Sequence, residues 1–230
     1  MSDRQNYSLI FEPTFLMKPS LKQSISNHFI FYLIGLQVIG WIAFIALGRE
    51  NIFFLLNRCG GRAVDFVFFL FTLLGEWPLI VFAIIFVWFR YKSQILNICI
   101  AFVMNAIISF SLKNYVFTQT PRPAKFFIDT PSSVHFSPYL SVKYWQSFPS
   151  GHTFTAFTGL FFIALLVNKP WCYSLCFILA LLAGISRIYN GMHFPEDVLA
   201  GALIGAINTL LIIQLIPPLS LTSHKKTFYS

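Results

Sequence analysis

Two histidines, two arginines and one aspartate stand at spacings that point to phosphate-ester chemistry. They are Pro149-Ser150-Gly151-His152, then Ser186-Arg187 followed by His193 and Asp197 as S-R-x5-H-x3-D, with Arg122-Pro123 upstream. Asp197 is close enough to His193 to accept a hydrogen bond from one ring nitrogen, which fixes the tautomer and leaves the other nitrogen as a lone-pair nucleophile toward phosphorus. His152 suits the general acid/base role, protonating a departing alkoxide and then activating water. Phosphoryl transfer spreads charge over three equatorial oxygens, and the planar, permanently charged forks of Arg122 and Arg187 answer that need. Each piece alone has a plainer reading: a Ser N-cap beside an interfacial histidine, an Asp answering a helix dipole, an arginine snorkelling from a helix end. Together, so many polar groups among apolar segments are costly unless they converge on one another and on a charged ligand.

The elements that must position these residues are helices in a membrane. The chain of 230 residues is 57% hydrophobic and 10% charged, whereas about a quarter of a soluble domain is charged. Apolar runs long enough to cross a ~30 Å hydrocarbon core fall at about 29–47, 66–89, 94–112, 152–168, 171–186 and 198–216. The expected fold is therefore all-α: a polytopic bundle of six transmembrane helices forming one domain over 1–230. Tails at 1–28 and 217–230 would face the cytoplasm, and 113–149 would form an outward loop. The first run is read as a retained anchor, because it follows a long polar tail and lacks a small-x-small cleavage site. Gly75-Glu76-Trp77-Pro78 interrupts the second run, which predicts a kink there and allows Glu76 to lie within the membrane. Ser150 is placed to cap the fourth helix, and Gly151 lets a ligand approach its amides. Pro195 and the acids after it open the sixth helix.

Charge assigns the faces. Arg4, Lys18, Lys22, Arg90, Lys92, Lys169, Lys225 and Lys226 fall on one side and define it as cytoplasmic. The other side also carries eight cations, but Lys113, Arg122 and Arg187 sit in or beside the motifs, which leaves five. The site is thus expected away from the cytoplasm. No cofactor and no metal is expected. Cys172 and Cys176 have no histidine partners nearby, and Cys99, Cys172 and Cys176 read as small hydrophobes in apolar runs. Nothing points to nucleic acid; the expected partners are membrane lipids and a lipid phosphate.

The segment between the first two motifs is rich in aromatics, including Phe126, Phe127, Tyr139, Tyr144 and Trp145, which suit the headgroup boundary as a lid or rim. His135 in that segment is read as a solvated loop histidine.

Arg122-Pro123, Pro149-Ser150-Gly151-His152 and Ser186-Arg187-x5-His193-x3-Asp197 resemble the three signature motifs of the type 2 phosphatidic acid phosphatase (PAP2) superfamily. The resemblance implies a metal-independent lipid phosphatase with an outward-facing site. His193 would form a phosphohistidine, Asp197 would orient it, and His152 would serve as acid and then base. Arg122, Ser150, Gly151 and Arg187 would bind the phosphoryl group. Undecaprenyl diphosphate, phosphatidic acid, phosphatidylglycerol phosphate and the phosphate of lipid A are all admissible substrates. The short chain resembles bacterial members, which implies an inner-membrane location.

The first motif departs from the family's K-x6-R-P pattern: Lys113 stands at K-x8-R-P, and on an unbroken helix the two-residue shift rotates it by about 200°. A bulge or break within Thr118-Gln119-Thr120-Pro121 would return it to the site; otherwise it snorkels to the interface. Two competing functions are a lipid-to-lipid phosphotransferase using the same phosphohistidine and a transporter or channel in which Glu76, the histidines and the arginines line an ion path.

Overall fold

The computed structural model describes residues 28–58, 60–128 and 134–219. The tails expected at 1–28 and 217–230 fall almost entirely outside these residues. The helices are α1 (Phe29–Leu56), α2 (Arg62–Leu73), α3 (Trp77–Arg90), α4 (Ile95–Ser111, continued by a π turn over Leu112–Val116), α5 (Pro123–Phe126), α6 (Gly151–Val167), α7 (Pro170–Tyr189) and α8 (Pro195–Leu215). Among the described residues there is no β-strand, only an isolated bridge between Pro121 and Trp145.

Proline writes several of the starts. Pro78, Pro123, Pro170 and Pro195 each lie in the first turn of a helix, where the missing N–H costs nothing and the fixed φ is already helical. Glycine breaks α1: Gly48, at φ 77° and ψ 162°, interrupts it one residue beyond the end expected for the first span.

Among the described residues four helical stretches are long and apolar enough to cross a membrane: Phe29–Leu56, Lys92–Val116, Pro170–Tyr189 and Pro195–Leu215. Helices α2 and α3, bent by 47° at the Gly75-Glu76 break, make a fifth if taken as one broken span. The expected count of six differs at α6, an apolar helix whose 17 residues give only ~25 Å. Its setting explains the shortness. Helix α6 is the hub, packed chiefly on α7 and α8 and also on α3 and α4. Phe154, Phe157, Phe161 and Phe162 are wholly buried, as befits a helix that is apolar all round. Helices α1, α3 and α4 instead present large apolar side chains outward, among them Ile45 at 82% exposure and Phe89 at 77%; that surface suits lipid.

The α6–α8 seam is closed by small residues. A Cβ on Gly201 would stand 2.6 Å from the Ser150 carbonyl oxygen, and one on Gly205 2.6 Å from that of Phe154. This close approach sets the first turns of α6 and α8 side by side. The Ser150 N–H donates to the Asp197 carbonyl at 3.0 Å and joins the two ends directly. At the opposite end, Asn97 Nδ2 donates to Ile216 O at 2.9 Å and the Leu219 N–H to Ser93 O at 2.8 Å.

Candidate active site

The site collects where α4 ends, α6 and α8 begin, and α7 ends. The turn from α7 to α8 is tied by Arg187, whose carbonyl accepts from the Met192 and His193 N–H groups at 2.9 and 3.2 Å. That closure, with Gly191 at φ 70°, explains the S-R-x5-H spacing: it folds His193 back over the end of its own helix. Asp197, in the first turn of α8, accepts the Phe194 N–H at 2.9 Å and so caps the helix that carries it.

The same carboxylate oxygen, Oδ2, lies 3.2 Å from His193 Nδ1. Ser147 Oγ donates to it at 2.5 Å and lies 3.5 Å from Nδ1. These partners assign the proton to Nδ1 and the lone pair to Nε2. Nε2 in turn is 3.2 Å from Arg122 Nη1, which also donates to Met192 O at 3.0 Å. Burial, and then the Arg122 charge, push the His193 pKa well below the ordinary histidine value, so the ring is neutral near pH 7.

The two arginines are placed differently. Arg122 donates through Nε to Trp145 O at 2.9 Å and through Nη2 to Gln146 O at 3.3 Å, and its N–H donates to Tyr144 O at 2.9 Å. It clamps the segment before Pro149 to the α7–α8 turn, and burial lowers its pKa from the usual arginine value. Arg187 is 4% exposed, and its Nε and Nη1 have no hydrogen-bond partner. A buried guanidinium with unmatched donors is costly unless an anion meets it.

Ser150 is fully buried and caps α6, its Oγ accepting the Thr153 N–H at 3.5 Å and the Thr153 hydroxyl at 2.9 Å. Gly151 faces α4: a Cβ there would stand 3.2 Å from Ser109 Oγ and 3.9 Å from Lys113 Nζ. Lys113 therefore reaches the start of α6. The expected break at 118–121 is not what turns it. The Phe117 N–H closes on Leu112 O at 2.7 Å, an i→i+5 turn, and this π widening brings Lys113 onto the same cleft as His152. Lys113 is thus still helical, within the π turn over Leu112–Val116.

Three partners were not foreseen from the sequence. Ser147 joins the Asp197–His193 pair from inside the second motif's segment. Glu76 Oε1 lies 2.8 Å from His152 Nε2, and its only sequence signal was an acid in the break of an apolar run. His135, expected to be solvated, is instead held by Nε2 at 2.7 Å from Asp65 Oδ1, which also accepts the Tyr189 hydroxyl at 2.7 Å. The acid that buries it lies 70 residues earlier in the chain, beyond the reach of local spacing. Among the described residues no group of three or more His, Cys, Asp or Glu side chains is arranged to hold a metal.

An all-helical, membrane-type bundle with a carboxylate-paired histidine facing a buried arginine defines the class. The family model described as PAP2 superfamily matches residues 94–220, more than half of the chain, and the protein belongs to that superfamily. It is similar to the undecaprenyl-diphosphatase of Sulfolobus acidocaldarius, with 32% identity over 138 residues covering 58% of this chain and 60% of that one. It is also similar to the bacitracin transport permease protein BcrC of Bacillus licheniformis, with 42% identity over 85 residues covering 36% and 40%. The chain thus spans 40–60% of the length of these curated relatives. Among solved structures, Aquifex aeolicus LpxE superposes with a TM-score of 0.61 at 31% identity, covering 72% of this chain and 94% of that chain.

Proposed function

We propose that the protein is a metal-independent lipid phosphatase with six membrane passes, whose site opens on the non-cytoplasmic face of a bacterial inner membrane. One observation carries the reading: the Asp197–His193 pair leaves the ring's lone pair on Nε2, where Arg122 Nη1 meets it until a phosphoryl group takes that donor, while the buried Arg187 keeps Nε and Nη1 without a protein partner. His193 Nε2 attacks phosphorus, the P–O bond to the lipid breaks, and His152 delivers a proton to the departing oxygen. Asp197 stabilises the positive ring of the phosphohistidine. His152, now neutral, takes a proton from water as that water attacks phosphorus, and inorganic phosphate leaves with the N–P bond electrons returned to Nε2. Arg187, Lys113, Gly151 and Ser150 surround the phosphoryl oxygens, with Arg122 reaching them through the Nη1 that meets His193.

A cavity of about 620 Å³ supports a lipid as the leaving group. It runs from His152, Glu76 and Lys113 past Trp77, Ile80, Phe102 and Phe110 between α3 and α4, so a polar head at the site continues into an apolar groove. Undecaprenyl diphosphate fits the chemistry and the name of the Sulfolobus acidocaldarius relative; the phosphate of lipid A, phosphatidic acid and phosphatidylglycerol phosphate fit the same site.

The deciding experiment assays purified protein in detergent against these lipid phosphates with no divalent cation. Turnover is expected, blocked by vanadate, which imitates the trigonal-bipyramidal transition state, and insensitive to EDTA. His193→Ala and His152→Ala should each abolish it. Substantial turnover by His193→Ala would overturn the phosphohistidine.

A further inference from the structure

Glu76 stands at the bend between α2 and α3, outside the residues matched by the family model. The bend is fitted to His152. A Cβ on Gly75 would lie 2.6 Å from both His152 Cβ and the His152 carbonyl oxygen, so only glycine lets the broken span rest against the first turn of α6. Trp77 and Pro78 then restart the helix. This leaves Glu76 as an extended N-cap residue whose side chain makes no capping bond; it is committed instead to His152 Nε2 at 2.8 Å. Both side chains line the cleft between α3 and α4, about 30% exposed. The other charged groups in the surroundings of His152, Lys113 and Arg187, are cations.

We infer that Glu76 is a positioning residue that makes His152 a competent acid toward the leaving oxygen, as Asp197 makes His193 a competent nucleophile. The inference rests on the phosphatase reading above. With Nε2–H held by the carboxylate, the ring's other nitrogen exchanges the proton: it gives one to the lipid oxygen as the P–O bond breaks and recovers one from water in the second step. Glu76 keeps its negative charge throughout. Without it, two neighbouring cations oppose the protonated ring, which then lacks a counter-charge.

The test exploits the leaving group. p-Nitrophenyl phosphate expels a stable phenolate that needs no proton, whereas a lipid alkoxide needs one. The ratio kcat/KM reports the steps up to phosphohistidine formation, so it isolates the acid role. Glu76→Gln, which keeps size and loses charge, should lower kcat/KM for the lipid phosphate by about 100-fold. For p-nitrophenyl phosphate kcat/KM should change less than about threefold, while kcat falls because dephosphorylation needs His152 as base. Both rates come from one preparation, so a misfolded fraction scales them together and leaves their ratio unmoved. Equal losses on both substrates would reduce Glu76 to a structural role, and an unaffected lipid rate would make it idle; either overturns the inference. A wild-type protein inactive on both substrates would remove the phosphatase reading itself and the inference with it.

Discussion

Asp197→Asn isolates the charge behind the proposed nucleophile. The His193 ring, the Ser147 hydroxyl and the Phe194 N–H all meet the same oxygen, Oδ2, at 3.2, 2.5 and 2.9 Å. An asparagine carbonyl can occupy that position and keep all three donors, so the cap of α8 and the tautomer of His193 survive while the negative charge is lost. At 3.2 Å and an effective dielectric of about 20, a unit charge is worth about 5 kcal/mol to a fully positive ring. The transition state carries only part of that charge, so the loss should lie at about 3–5 kcal/mol, or about 10²- to 10⁴-fold in turnover. Asp197→Ala is a different perturbation. It strands a buried hydroxyl and a buried N–H at about 1–3 kcal/mol each and should lower stability as well as rate. The assay is phosphate release from a lipid phosphate by purified variants that elute from size exclusion as wild type does. A correctly folded Asp197→Asn enzyme within tenfold of wild type would refute the electrostatic role.

Lys113→Ala should lower turnover by about 10²-fold, as loss of one transition-state charge donor does, and Lys113→Arg should recover little because the fork differs in geometry; near-wild-type kinetics for Lys113→Ala would assign the lysine to the interface alone. The acid limb of kcat/KM should lie below the ordinary histidine value of about 6.5, because burial and Arg122 lower the His193 pKa. As pH falls through that lowered value Nε2 gains a proton and the nucleophile is lost. Arg122→Gln should move the limb upward whatever it does to the maximal rate, and a wild-type limb at or above 6.5 would contradict the assignment. A cysteine replacing the exposed Val142 in a cysteine-free variant should react with an impermeant maleimide in intact cells, while one replacing the exposed Lys92 should not; the reverse pattern would invert the orientation.

Several features of this protein are written in short stretches of chain. The apolar runs and the proline starts at 78, 123, 170 and 195 are local, and so is the pairing of His193 with Asp197, four residues apart across a helix start. Helical geometry and hydrogen-bond closure decide such features within one turn, so residue spacing alone reveals them. The family pattern rests on the same local spacings. Tertiary packing decided the rest. Glu76 and His152 are 76 residues apart, His135 and Asp65 70 apart, and Ser147 and Asp197 50 apart; the first pair meets because the bend at Gly75 has no side chain to hold it off α6, the second where α2 packs on α7, and the third where the starts of α6 and α8 meet. Lys113 shows the boundary between the two. Its spacing flagged a mismatch with the family pattern, but nothing in the residue types separates an α turn from a π turn over Leu112–Val116, and that one wider turn sets where the ammonium points.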